Sequence, residues 1–177
     1  MAFTKQDDTG LVADANAYIS LVEMRDYHSD RGLDLSAVVD ADLQAAIIRA
    51  TDYLDQRFPF VGLILNSYPS QTTEWPRKQA FWPDGGIISG LPVPLKEACA
   101  EYANVAQTET LYQPSTPVGV VGVVKKKDQS VDVIKDITEY FSSDSAASTI
   151  REIPVADNKL YAAGLVEFPT SDFVRGA

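Results

Sequence analysis

Asp40-Ala41-Asp42-Leu43-Gln44-Ala45-Ala46-Ile47-Ile48-Arg49-Ala50-Thr51-Asp52-Tyr53-Leu54-Asp55-Gln56-Arg57-Phe58 carries the strongest periodic signal in the chain. Leu43, Ala46, Ile47, Ala50, Tyr53, Leu54 and Phe58 recur at i, i+3, i+4 and i+7, the spacing that gathers side chains on one face of a helix, until Pro59 ends the run. Asp42, Gln44, Arg49, Asp52, Asp55 and Gln56 occupy much of the other side. The predicted helix therefore packs one face and leaves the other wet or open to a neighbour.

Upstream, Ser20 and Glu23 have capping-box spacing, and Leu21, Met24 and Tyr27 or His28 follow at helical intervals until Gly32. This predicts a first helix at about Ser20–Arg31. Downstream, between Pro59 and Pro94, turn residues break up the pattern: Asn66, Pro69, Pro76, Pro83, Asp84, Gly85, Gly86, Gly90 and Pro92. A long ordered loop is expected there, folded back across the helices by Trp75 and Trp82, whose large side chains favour burial. After Pro94 a third helix should use Leu95, Ala98, Cys99, Tyr102, Val105 and Ala106 as its buried stripe and end before Pro114.

Beyond Pro117 the character changes. Val118, Val120, Val121, Val123 and Val124, then Val131, Val133, Ile134 and Ile137, are β-branched runs flanking Lys125-Lys126-Lys127-Asp128-Gln129-Ser130, which reads as a hairpin or a pair of edge strands. Ser142–Ser148 looks like a flexible connection, and Val155–Leu165 can form a short helix ended by Gly164. The expected fold is mainly α: a small helical bundle with a long ordered loop over residues 1–113, then a C-terminal β-hairpin and extended arm with a short helix over 114–177. A two-stranded unit and one short helix are marginal alone, so the arm should pack on the body or on another subunit.

The 177 residues suit one domain, or one domain with an arm, and the composition of 45% hydrophobic and 23% charged residues is ordinary globular usage. No stretch approaches the ~18–20 apolar residues of a membrane span. The start, Met1-Ala2-Phe3-Thr4-Lys5-Gln6-Asp7-Asp8, lacks the basic and apolar parts of a secretory signal, so folding in the cytoplasm is expected. A formal charge of −10 opposes the electrostatic attraction behind most non-specific nucleic-acid binding. It does not oppose proximity to DNA, because a channel wall that does not grip phosphates lets DNA slide.

The catalytic inventory is thin. His28 is the sole histidine, no Gly-x-Ser-x-Gly elbow accompanies it, and its place near a helix C-terminus suits the helix dipole better than general-base work. Cys99, the sole cysteine, lies between Ala98 and Ala100 and reads as buried packing. Carboxylate pairs such as Asp7-Asp8, Asp52 with Asp55 and Glu97 with Glu101 read as solvated faces in a chain with 25 acids. Asp84-Gly85-Gly86 lacks the Gly-Lys-Ser/Thr ending of a phosphate loop and reads as a turn. Trp75-Pro76-Arg77 and Phe81-Trp82-Pro83 put aromatics beside cations, read here as core cover with a cation–π contact, not a base-stacking platform. Lys125, Lys126 and Lys127 could touch phosphates or an acidic partner, or simply keep a hairpin tip soluble. No enzyme activity, cofactor or metal is assigned.

The order of features resembles a phage family. Thr9-Gly10-Leu11 precedes Ala15-Asn16-Ala17-Tyr18-Ile19-Ser20, then come Tyr27-His28-x-x-Arg31-Gly32 and Ala45-x-x-x-Arg49-Ala50-Thr51-x-Tyr53-Leu54-Asp55-x-Arg57-Phe58. Trp75-Pro76-Arg77, the glycine-bearing segment after Trp82, and Pro92-x-Pro94-Leu95-x-x-Ala98-x-Ala100-Glu101 follow. Over about the first two-thirds of its length the chain is similar to proteins labelled "putative DnaT-like single-stranded DNA-binding protein", which look like head-tail connector (adaptor) proteins of tailed phages.

The resemblance implies a ring, commonly dodecameric, beneath the portal. Its partners would be its own copies, the phage portal protein and a tail-side connector, stopper or tail-terminator protein. Packaged DNA would pass through without specific binding, and no membrane is involved. The protein would reside in the virion neck, and in the host cytoplasm during assembly. C-terminal segments of such proteins reach a neighbouring component, which makes Lys125, Lys126, Lys127, Leu160, Tyr161, Phe168 and Phe173 the candidate partner contacts. The alternative is a single-stranded DNA-binding accessory protein of phage DNA replication, against which stand 15 basic and 25 acidic residues. A third reading, a small hydrolase, needs a polar cluster that the sequence does not present.

Overall fold

In the computed structural model the described residues are 2–112 and 152–167. Four helices and one short antiparallel sheet run in the order α1 (Leu21–Ser29), α2 (Asp40–Arg57), β1 (Leu63–Ile64), β2 (Arg77–Lys78), α3 (Val93–Ala106) and α4 (Pro154–Ala162).

The start of α1 follows from its capping box: the Glu23 amide donates to Ser20 Oγ at 3.2 Å and the Ser20 amide to Glu23 Oε2 at 2.7 Å. The helix stops two residues earlier than the sequence suggests, and Gly32, at φ +80°, turns the chain so that the Leu33 amide donates to the His28 carbonyl. In α2, acidic Asp40 and Asp42 in the first turn and Arg57 in the last suit the helix dipole. Leu43, Ala46, Ile47, Ala50, Tyr53 and Leu54 are fully buried. They pack chiefly on α3, whose Leu95, Ala98, Cys99, Tyr102 and Ala103 face back, with Thr51 Oγ1 lying 3.6 Å from Cys99 Sγ. Small residues on both helices at this contact favour close approach. Pro94 in the first turn of α3 gives up no helix hydrogen bond there.

Helix α4 takes one of the two placements expected for the C-terminal arm: it packs on α3 of the body, buries Ala156 and Leu160, and ends at Gly164, φ +66°. The chain then runs antiparallel beside the end of α2, with the Val61 amide donating to the Leu165 carbonyl and the Glu167 amide to the Pro59 carbonyl, both at 3.0 Å. Glu152–Glu167 thus belong to the same compact unit as residues 2–111. A long-range ion pair and a few apolar side chains draw α4 back, and neither leaves a local pattern.

The hairpin expected at Val118–Ile137 and the connection at Ser142–Ser148 lie outside the described residues. Among the described residues, antiparallel pairing is found mid-chain, inside the stretch expected to be a loop. Leu63 pairs with Lys78 and Ile64 with Arg77. A second, tighter reversal follows, where the Ile88 amide donates to Ala80 at 2.9 Å and the Trp82 amide to Gly86 at 2.7 Å. The loop does fold back as expected: Trp75 is fully buried with its ring edge-on to Phe60 at 6.0 Å, and Trp82 is half-buried.

Candidate functional site

The nine described cations are Lys5, Arg25, Arg31, Arg49, Arg57, Arg77, Lys78, Lys96 and Lys159. Seven of them are held in ion pairs: Lys5 and Lys96 with Glu23, Arg25 with Asp40, Arg31 and Lys159 with Glu97, Arg57 with Asp157, and Arg77 with Glu74. Arg49 donates to the Ala106 carbonyl at 2.6 Å, and Lys78 donates to the Leu65 carbonyl at 3.4 Å. Nineteen of the chain's 25 acids fall among the same residues, so the whole formal charge of −10 resides there and the remainder of the chain is neutral. A phosphate binding on this surface would meet cations already shared with a carboxylate or a carbonyl.

Of the residues expected to meet partners, Leu160 is fully buried in the core and offers a partner no surface. Its apolar side chain is needed against α3. Tyr161 is half-buried with its ring edge against Phe58 at 6.2 Å. Lys125, Lys126, Lys127, Phe168 and Phe173 lie outside the described residues.

His28 is buried, with Nε2 3.1 Å from the Ala100 carbonyl and its ring edge-on to Tyr27. It serves packing between α1 and α3. Cys99 is fully buried, and burial pushes its thiol up to about 12, far from a reactive thiolate. Asp84-Gly85-Gly86 is a turn, with Gly85 at φ +87° and the Gly86 amide donating to Asp84 Oδ1 at 3.0 Å. Trp75 is too deep to stack on a base. Arg77 spends its guanidinium on the Val61 and Gly62 carbonyls, each at 2.9 Å, as well as on Glu74. The cation–π contacts seen involve Arg31 and Lys159 over Tyr27 and Arg57 over the Tyr53, Phe58 and Tyr102 rings. Among the described residues no three His, Cys, Asp or Glu side chains are grouped to hold a metal, and no helix is long and apolar enough to cross a membrane.

Two polar clusters stand out that sequence reading missed. In the first, Arg57 of α2 makes a two-pronged contact with Asp157 of α4, Nη2–Oδ2 at 2.7 Å and Nη1–Oδ1 at 3.1 Å, and the Tyr102 hydroxyl of α3 donates to the same carboxylate. Burial first, then this carboxylate, raise the Tyr102 hydroxyl well above its ordinary range. Three helices are tied at one point.

In the second, the N-terminal segment is strapped onto the loop. Gln6, fully buried, donates to Thr73 Oγ1 at 3.1 Å; Thr72 Oγ1 donates to the Ala15 carbonyl at 2.6 Å; Asn66 donates to the Thr9 carbonyl at 2.8 Å; and the Leu91 amide donates to Asp8 at 2.8 Å. Gly10, at φ +69°, fits so closely that a Cβ there would lie 2.7 Å from Gln71 Oε1. Tyr18 closes the strap by donating its hydroxyl to Asp55 of α2. These side chains have no periodicity, and Thr9-Gly10 is the one part of the strap with a local signature.

On the outer side, Phe81 and Ile87 sit opposite one another and are 53% and 74% exposed, making an apolar cross-strand pair on the surface of the loop. Leu63, 54% exposed, lies in the adjoining strand.

No curated protein and no solved structure matches the chain. A family model described as "Putative DnaT-like ssDNA binding protein" matches residues 1–167, taking in the strap, the loop and all four helices. The chain belongs to that family.

Proposed function

We propose that the chain is a non-enzymatic virion protein, a head-tail connector (adaptor) subunit that assembles with its own copies into a ring between the portal and a tail-side connector, stopper or tail-terminator protein. The observation that supports this reading is the engagement of every described cation within the chain itself. A body carrying the full −10 charge, with its basic groups already occupied, repels phosphates over most of its surface. Such a surface suits a wall past which packaged DNA slides and suits poorly a groove that must grip a strand.

A second reading stands beside it, a single-stranded DNA-binding accessory protein of phage DNA replication. The family's description names single-stranded DNA binding, and no comparison names a connector, so the comparisons favour this second reading over the first. The charge distribution favours the first.

Mass photometry of the full chain, with and without portal rings and with a labelled single-stranded oligonucleotide, separates the two. Rings formed alone or templated on portal, without oligonucleotide binding, support the connector. A monomer or dimer that ignores portal and binds the oligonucleotide in a salt-dependent way returns the protein to DNA metabolism.

A further inference from the structure

Exposed apolar surface is concentrated in the mid-chain loop, where Leu63, Ile64, Tyr68, Phe81 and Ile87 all lie open to solvent. The pleat turns three of them outward together. Leu63 stands opposite Lys78 across the β1–β2 ladder, which places both on one face, while Arg77 turns its guanidinium to the Val61 and Gly62 carbonyls. Gln79, at φ +58°, adds a residue to the alternation, so that Ala80 and Ile88 are buried and Phe81 and Ile87, paired across the next reversal, are exposed. Lys78 precedes Phe81 at one end of this face, and Asp84 occupies the turn at the other. Neither joins an ion pair among the described residues: Lys78 donates to the Leu65 carbonyl, and Asp84 Oδ1 accepts the Gly86 amide.

We propose that this face pairs two copies of the chain about a two-fold axis, with Phe81 and Ile87 of each copy covering those of the other and Lys78 of each meeting Asp84 of the other. Charge selects the occupant. Residues 58–92 hold two acids, Glu74 and Asp84, and two bases, Arg77 and Lys78, so the stretch is net neutral and the −10 of the body lies outside it. Two copies therefore approach with least repulsion loop to loop. A cation at one end of the face and an anion at the other are matched by the same pair inverted, which is what a two-fold contact requires. Such a contact closes on itself, whereas a ring needs head-to-tail surfaces, so the pairing stands or falls apart from both functional readings.

The size of the face sets the strength. Three apolar side chains fall short of the ~800 Å² per partner of a stable complex, so the pair should be weak, with a dissociation constant on the order of 100 μM.

The test is analytical ultracentrifugation of the full chain from about 5 to about 500 μM, a range that brackets that constant. The chain should pass from monomer to dimer, and Phe81→Ser combined with Ile87→Ser should weaken pairing about tenfold or more. Lys78→Glu and Asp84→Lys should each weaken it as well, because like charges then face one another at both ends. Mixed in equal amounts, these two variants should pair as tightly as the unchanged chain, since every cation again meets an anion. Asp84→Asn keeps an acceptor for the Gly86 amide and should also weaken pairing, which separates lost charge from a broken turn. A chain that stays monomeric at the top of the range leaves this face to another partner and overturns the proposal. So does association that survives the Phe81 and Ile87 replacements, full-strength pairing in Asp84→Asn, or a mixture that associates no better than either charge variant alone.

Discussion

Trp75 is the largest fully buried side chain of the body, and its place in a segment of turns makes it the anchor of the loop. Trp75→Ala should cost about 3–5 kcal/mol, read as a lowered urea midpoint, whereas Trp82→Ala, at a half-buried site, should cost clearly less. Trp75→Phe keeps a ring against Phe60 and removes an indole N–H that has no partner among the described residues, so it should recover much of the loss. Asp157 makes a second test. Its side chain and that of Arg57 are only 11% and 10% exposed, so Asp157→Ala takes the carboxylate from a buried guanidinium that still donates to the Tyr102 hydroxyl and should destabilise by about 3–5 kcal/mol. Glu97→Ala, which breaks partly exposed pairs, should cost no more than about 1 kcal/mol. Glu23 contributes through pH. Burial opposes its charge, but Lys5 and the Ser20 donors outweigh this and bring its carboxyl down to about 2. Stability from Glu23 is thus complete above its ordinary value of 4.5 and drains away as pH falls toward 2. Glu23→Gln should flatten that acid limb in unfolding curves taken from pH 6 to 2.

At the scale of elements, truncation distinguishes a detachable arm from an integral helix. Read from sequence alone, deleting Ser142–Ala177 leaves a folded body. With Ala156, Leu160, Leu165 and Val166 in the same core as α2 and α3, and Asp157 neutralising Arg57, the deletion should instead lower the thermal midpoint sharply or abolish cooperative unfolding by circular dichroism. An unshifted transition would return α4 to the arm. The contrast with α2 explains what the sequence discloses. Leu43 through Leu54 announce their helix because each apolar contact recurs within a turn, and Ser20 with Glu23 announces α1 through a local hydrogen-bond exchange. The partners of Asp157 and Gln6 lie 100 and 67 residues away, at Arg57 and Thr73, so no window on the sequence can contain both ends. The strand pairing at Leu63–Lys78 is two residues long on each side, too short for alternation to register. Cys99 was legible because the alanines beside it settle its buried role, whereas His28, read as a helix-end residue, takes its packing role from Ala100 of α3, 72 residues away.

For the molecule as a whole, the distribution of charge decides what binding to a single strand could look like. The described residues hold all of the net −10 and have their cations occupied, while Lys125-Lys126-Lys127 is the densest basic run in the rest of the chain. Each phosphate neutralised on a single strand contributes about 0.7 to the slope of log affinity against log salt. An oligonucleotide engaged by those three lysines alone gives a slope of about −2, and one that also draws in Arg25, Arg31 or Lys96 must first free them from Asp40, Glu97 and Glu23. Replacing Lys125, Lys126 and Lys127 together by Gln should therefore abolish any oligonucleotide binding while leaving the urea midpoint of the body unchanged. A slope much steeper than −2, surviving the triple replacement, would mean that the body surrenders its ion pairs to phosphates. The acidic-wall argument for a connector would then fail, and the activity named by the family description would take its place.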